Sequence, residues 1–203
     1  MGESKKSAGK LVIISGPSGV GKSTVVRQLI DECNLPLSFS VSATTRPKRP
    51  GEVHGKEYMF LTNEQFKQHV DQNDFLEYVE VFGHGHWYGT LRETVAAGLK
   101  EGQWIILEID VEGAAMVTKH VPDAISIFIH PGSVEELERR LRGRATETEE
   151  AIQRRLEVGR RELDGAVLYK HIVTNKTVEQ TVSDICELLV NSECGEKPEC
   201  TTN

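Results

Sequence analysis

The chain has 203 residues, 38% hydrophobic and 27% charged, a composition that excludes a collagenous, low-complexity or wholly disordered protein and suits one folded unit with a real core. No apolar run approaches the roughly 18 residues needed to span a membrane. The formal charge of −7 disfavours a protein whose work is non-specific binding to nucleic-acid backbones or anionic lipid.

Residues 1–10, MGESKKSAGK, read as a flexible tail. No apolar stretch behind them is long enough for a signal peptide, and Lys6 stands where a myristoylation signal needs a hydroxyl. A cytoplasmic location is the expectation. The four cysteines, Cys33, Cys186, Cys194 and Cys200, form neither a CxxC pair nor a dense framework, so in a reducing compartment free thiols are expected.

Continuous apolar runs bounded by turn residues predict buried strands at 11–15, 39–43, 104–110, 125–130 and 171–174. Helical patterns lie between them. Several open with a hydroxyl followed three residues later by Glu or Gln, the capping-box spacing: Thr62/Gln65, Thr90/Glu93, Ser133/Glu136, Thr146/Glu149 and Thr177/Gln180. Strands alternating with helices imply an α/β fold on a mostly parallel five-stranded core sheet flanked by helices. Residues 46–90 break the rhythm with basic and glycine-rich loops, one short helix and an alternating strand at 75–82, and read as an insertion beside that sheet. Residues 191–203 are polar and predict a disordered tail.

The first strand runs into Gly16-Pro17-Ser18-Gly19-Val20-Gly21-Lys22-Ser23, then Thr24 and a helical run, which matches GxxxxGK[ST] in the strand-loop-helix context that this P-loop motif requires. Glycines let successive N–H groups turn inward toward phosphate oxygens, and the helix N-terminus adds partial positive charge. Lys22 is expected on the β and γ phosphates, and Ser23 on a Mg2+ ion carried by the nucleotide. The motif alone does not separate an ATPase, a GTPase, a helicase module and a small-molecule kinase.

After the second strand, Arg46 and Arg49 are followed by Glu52 and Tyr58. Two guanidinium forks and a phenol suit a compact dianion such as a phosphate monoester. Together with the P-loop, this TTRxxRxxE–GxxYxF-like stretch closely resembles the guanylate kinase family, and the resemblance extends from about Leu11 to Val190. It implies a P-loop NTPase-type core (11–45, 91–134 and 156–190), a GMP-binding insertion at 46–90 and a helical lid at 135–155. It places Arg46, Arg49, Tyr58 and Tyr88 on the GMP phosphate, Ser42, Glu77 and Thr90 around the guanine, and Glu108 and Asp110 nearby. It places the lid arginines Arg140, Arg144 and Arg155 over the ATP phosphates, and Asn175 near the adenine ring. Catalytic weight then falls on Lys22, Arg46, Arg140, Arg144 and Arg155.

The chain departs from the family pattern at Phe82-Gly83-His84-Gly85-His86-Trp87-Tyr88-Gly89-Thr90, which is two residues longer, so Tyr88 and Thr90 are assigned by aligning backward from Gly89. His84 and His86 read as loop residues, since two histidines without a third ligand are a weak metal signal. Much of 135–163 is accounted for by Glu/Arg pairs at i,i+4, such as Glu136/Arg140 and Glu138/Arg142, with Gly143 a flexible point between two helices.

The implied activity is reversible ATP + GMP = ADP + GDP, with dGMP as a further acceptor, in purine nucleotide metabolism. The chemistry fits these residue types: guanine offers N1–H and an exocyclic amine to a carboxylate such as Glu77, where adenine offers a bare acceptor. ATP, GMP and Mg2+ are then the partners, with no nucleic acid or membrane, in a monomer or homodimer. A peptide-gripping relative of the fold without catalysis would lack the phosphate loop, which is intact here. Acidic residues collect at the C-terminal end, where 177–203 hold six against Lys197 alone. The rest of the chain is close to neutral and carries the cations that would meet phosphates.

Overall fold

A computed structural model describes residues 9–80, 85–143 and 148–193. The fold class is the expected one. Five parallel strands make the core sheet: β1 (Leu11–Ser15), β2 (Leu37–Phe39), β7 (Trp104–Glu108), β8 (Ile125–His130) and β9 (His171–Thr174), in the order β2-β7-β1-β8-β9. β1 is buried at every position, as a strand covered on both faces must be, which is why it reads as an unbroken apolar run.

The chain divides into two compact units, one running to Ser15 and resuming at Pro36–Ser126, the other taking Gly16–Leu35 and the chain from Ile127 onward.

In the first unit, β1 and β2 flank β7, with Leu11 opposite Ile105 and Leu37 opposite Trp104. The same unit holds a second, mixed sheet of four strands: β3 (Ala43–Thr44), β4 (Met59–Phe60), β5 (Phe75–Glu80) and β6 (Trp87–Leu91), in the order β4-β3-β6-β5. The apolar run at 39–43, expected as one strand, is therefore two. Residues up to Phe39 pair with β7, and Ala43 and Thr44 pair with β4 and β6. Helix α2 (Asn63–Asp71) covers this sheet through Phe66, which stacks on Phe75 at 4.5 Å between ring centres and packs with Ala43, Met59, Trp87 and Leu91. Its capping box is complete, with Thr62 and Gln65 bonded reciprocally. Helices α3 (Arg92–Lys100) and α4 (Val111–His120) belong to this unit as well.

In the second unit, α1 (Lys22–Glu32) and α7 (Val178–Glu193) pack together, and β8 pairs with β9 from Ile127 opposite His171 to His130 opposite Thr174. Helices α5 (Val134–Arg142) and α6 (Glu149–Asp164) bury Leu137, Leu141, Ile152 and Leu156 against each other.

Two expected helix starts differ. Thr90 does not cap α3, whose N-cap is Leu91 without a side-chain bond, because Thr90 is a strand residue with its hydroxyl engaged elsewhere. Helix α6 is capped by Thr148, which accepts from the Ala151 N–H, and Thr146 lies outside the described residues.

The free-thiol expectation is corrected at one pair. Cys33, at the C-terminus of α1, and Cys186, in α7, form a disulfide with their Cα atoms 5.7 Å apart and 153 residues between them in sequence. The expectation rested on compartment and spacing, neither of which reports that two helices lie side by side. Cys194 and Cys200 lie outside the described residues. Closing so long a loop restricts the unfolded chain, so reduction should lower the unfolding free energy by about 2–5 kcal/mol. Urea unfolding with and without a thiol reductant measures this, and superimposable curves would show that the bond does not form in solution.

Candidate functional site

The phosphate loop lies in the second unit. Gly16, Gly19 and Gly21 have φ of 146°, 96° and 100°, a region that L side chains rarely adopt. Gly16 also has no room, because a Cβ there would run into the Ile129 carbonyl. Lys22 opens α1, and its Nζ donates to the carbonyls of Gly16 (2.5 Å) and Pro17 (3.3 Å). Ser23 and Thr24 follow in the first turn with exposed side chains.

Behind the loop stands a brace that the sequence does not announce. Asn175, 2% exposed, donates from Nδ2 to the Val20 carbonyl (2.7 Å) and accepts at Oδ1 from the Thr181 hydroxyl (3.1 Å). Arg140 donates to the same Val20 carbonyl (2.9 Å) and to the Asn175 carbonyl (2.6 Å), and its Nε is held by Glu136 (2.7 Å). Glu136 serves Arg139 as well, and these two arginines hold its carboxyl down to about 2. From α6, Arg155 donates to the Ser18 hydroxyl (2.8 Å). Arg140, Arg155 and Asn175 thus all meet the loop, and Arg144 lies outside the described residues.

The second group of residues belongs to the first unit. Strand β3 leads into the basic loop, and its register with β6 sets Thr44 opposite Tyr88. Arg46 has a side chain only 10% exposed. Its Nη2 and Nη1 donate to the two carboxylate oxygens of Glu52 (2.8 and 3.0 Å), Nη1 also to the Pro47 carbonyl (2.8 Å), and Nε to the Tyr88 hydroxyl (3.2 Å). The guanidinium lies over the rings of Tyr58 (5.4 Å) and Phe60 (5.7 Å). Glu52 accepts in addition from the Arg49 N–H (2.7 Å), so it orders the backbone of the loop as well as its cation, and Arg46 foremost holds its carboxyl down to about 2. Tyr58 and Tyr88 meet edge to face at 5.7 Å, and burial raises the Tyr58 phenol above its ordinary value. The backward alignment from Gly89 thus puts Tyr88 beside Arg46 and Tyr58. His84 and Gly83 lie outside the described residues.

Further along the same sheet, the β5–β6 register sets Glu77 opposite Thr90. Glu77 is 4% exposed, and its Oε1 accepts from the Thr90 hydroxyl at 2.6 Å. Burial pushes its carboxyl up to about 7, with Asp110 adding like-charge repulsion and the Thr90 bond opposing. Asp110 caps α4 by accepting from the Gly113 N–H (2.7 Å). Glu108 ends β7, and its charge acts on the Tyr58 phenol. Ser42 holds the Met59 N–H through its carbonyl (2.9 Å). Among the described residues no group of three or more His, Cys, Asp or Glu could hold a metal, and no helix is long and apolar enough to cross a membrane.

The sequence fits the family described as guanylate kinase over residues 8–192. The chain belongs to that family. A guanylate kinase of Rhodopirellula baltica is 52% identical over 184 residues, covering 90% of this chain and 88% of the relative, and one from Synechococcus is 45% identical, covering 89% and 82%. The crystal structure of guanylate kinase from Anaplasma phagocytophilum superposes with a TM-score of 0.76 at 31% identity, covering 92% of this chain and 87% of the other. Membership makes this chain a nucleoside monophosphate kinase that phosphorylates GMP at the expense of ATP.

The signals for Glu52 and for the Asn175 brace were faint: an acid three residues after Arg49, and an Asn before a Thr-capped helix. The buried carboxylate supplies a pH test. The folded-state value of Glu77 lies above its unfolded value of 4.5, so the favourable contribution of its protonated form is complete below about 4.5 and is lost as pH rises through about 7. Glu77→Gln cannot ionise. Its unfolding free energy relative to wild type should therefore rise by about 3 kcal/mol between pH 4 and pH 8. Denaturant titrations at the two pH values check this, and a gap that does not move with pH would overturn it.

Proposed function

We propose that the phosphate loop of the second unit holds ATP and that the Arg46-to-Glu77 group of the first unit holds GMP. The observation that carries the reading is that one four-stranded sheet and the loop beside it bring Arg46 together with Tyr58 and Tyr88, and Glu77 together with Thr90, which suits one group to a phosphate and the other to a base.

Each part has a task that its chemistry suits. The loop from Gly16 to Thr24 wraps the ATP phosphates with backbone N–H groups, and Lys22 moves from the loop carbonyls onto the β and γ oxygens. Ser23 is exposed in the first turn of α1, where its hydroxyl suits a Mg2+ held mainly by the nucleotide and water. Bound there, Mg2+ would supply charge neutralisation between the β and γ phosphates. Arg140, Arg144 and Arg155 offset the remaining charge, and Asn175, buried behind Val20, braces the loop toward the adenine side. On the acceptor, Arg46, Arg49, Tyr58 and Tyr88 take the phosphate of GMP, and Ser42, Glu77, Thr90, Glu108 and Asp110 surround the base. dGMP serves as a second acceptor because these groups read phosphate and base, and the reaction returns GMP to the purine nucleotide pool.

The transfer needs no strong general base. A phosphate oxygen of GMP, already ionised at neutral pH, forms a bond to the γ phosphorus as the bond to the bridging oxygen breaks, and ADP leaves with that electron pair. The obstacle is repulsion between two polyanions, so catalysis is alignment and charge neutralisation. Adenine would face Glu77 lone pair to lone pair, and a buried acceptor left unpaired discriminates by orders of magnitude.

ADP formation measured with GMP, dGMP, AMP, UMP or no acceptor, with and without Mg2+, should be rapid only with the guanine nucleotides and the metal. Lys22→Ala and Arg46→Ala should each lower GMP-dependent turnover by about 10²-fold or more while the circular dichroism spectrum stays that of the parent. Wild-type turnover in either folded variant would sink the assignment.

A further inference from the structure

Glu77 owes its place to a residue without a side chain. Gly113 is the third residue of α4 and is buried. Its N–H is fixed by Asp110, so it has no freedom to retreat. A Cβ added there would lie 2.8 Å from Glu77 Oε2, 3.3 Å from Glu77 Cδ and 3.3 Å from Asp110 Oδ1. The first of these is shorter than van der Waals contact allows. The other carboxylate oxygen, Oε1, is pinned by Thr90 at 2.6 Å. The carboxylate is thus held between a hydroxyl on one side and the bare Cα of Gly113 on the other. Any side chain at 113 would turn or withdraw it and stretch the Thr90 bond. Alanine would be the better helix former at this position, so the cost of adding a methyl group falls on the carboxylate and not on the helix.

We propose that Gly113 is a positioning residue that determines base specificity, by leaving the space in which Glu77 presents both oxygens to a purine with two adjacent donors. The inference rests on the reading of Glu77 as the guanine acceptor. A carboxylate pushed off its position cannot meet N1–H and the exocyclic amine of guanine in one plane. Hypoxanthine, which offers N1–H but no amine, loses far less. Specificity for the amino group is therefore set as much by Gly113 as by Glu77.

The test measures Michaelis constants for GMP and for inosine monophosphate, with the unfolding midpoint, in wild type, Gly113→Ala, Glu77→Ala and the double variant. In Gly113→Ala the gain in helix propensity should only partly offset the disturbed Glu77–Thr90 bond, so the midpoint should fall modestly. Its KM for GMP should rise about tenfold with kcat nearly unchanged, as expected when ground state and transition state lose the same contact. Its KM for inosine monophosphate should change by less than about threefold, so the preference between the two falls. In the Glu77→Ala background the glycine substitution should do nothing further to either constant. An unchanged preference in folded Gly113→Ala, or an equal effect with and without Glu77, overturns the proposal. If Gly113→Ala fails to fold, recovery of folding in the double variant supports the steric conflict, and continued failure overturns it. Glu77→Ala with an undiminished preference would instead overturn the underlying reading of Glu77, whatever the glycine does.

Discussion

The ion pair between Arg46 and Glu52 sets the working geometry of the first unit. A guanidinium on a loop has about 2 kcal/mol of rotamer entropy to lose, and a phosphate that had to order it would bind correspondingly more weakly. Glu52 removes that cost in advance by taking both ends of the fork while its second oxygen holds the Arg49 backbone. The second unit uses the same device, with Glu136 holding Arg140 against the phosphate loop. Glu77 is the opposite case. It is buried beside the Thr90 hydroxyl and the acid Asp110, and burial raises its carboxyl to about 7 where arginines hold those of Glu52 and Glu136 down to about 2. One residue type thus does two jobs, aiming cations in one place and waiting for donors in another.

What could be read from the sequence was what is local in it. The phosphate loop is a contiguous stretch whose strand, turn and helix specify one another, and the capping box at Thr62 needs only residues three apart. The buried parallel strands announce themselves because both faces are covered. Glu77 and Thr90 are different: thirteen residues apart, they meet only because of the β5–β6 register, and an alternating strand does not say which partner faces it. The failed cap at Thr90 has the same origin, since the hydroxyl that matched a capping pattern was claimed by a residue on another strand. The run at 39–43 looked like one strand because its apolar character continues while its partners change from one sheet to another. The disulfide needed the side-by-side packing of α1 and α7, which no spacing between Cys33 and Cys186 encodes. Where family resemblance supplied residue roles, it did so at positions such as Tyr88 and Asn175 whose neighbours are far away in the chain.

The aromatic residues of the chain have a further consequence. Its two tryptophans sit in contrasting places. Trp104 is buried at 1% exposure in β7 beneath the Lys10 ammonium, whereas Trp87 is partly exposed, packs near Phe66 and Tyr78, and precedes Tyr88. The backbone of Trp87 is also fastened to Thr44 and Thr45 through its N–H and carbonyl, so its indole moves with the strand that carries the phenol beside Arg46. The molecule therefore contains its own pair of fluorophores, a blue-shifted one that reports on the core and a solvent-sensitive one on the strand that carries Tyr88. If GMP binds beside Arg46 as proposed, emission from the second should follow its occupancy without any label.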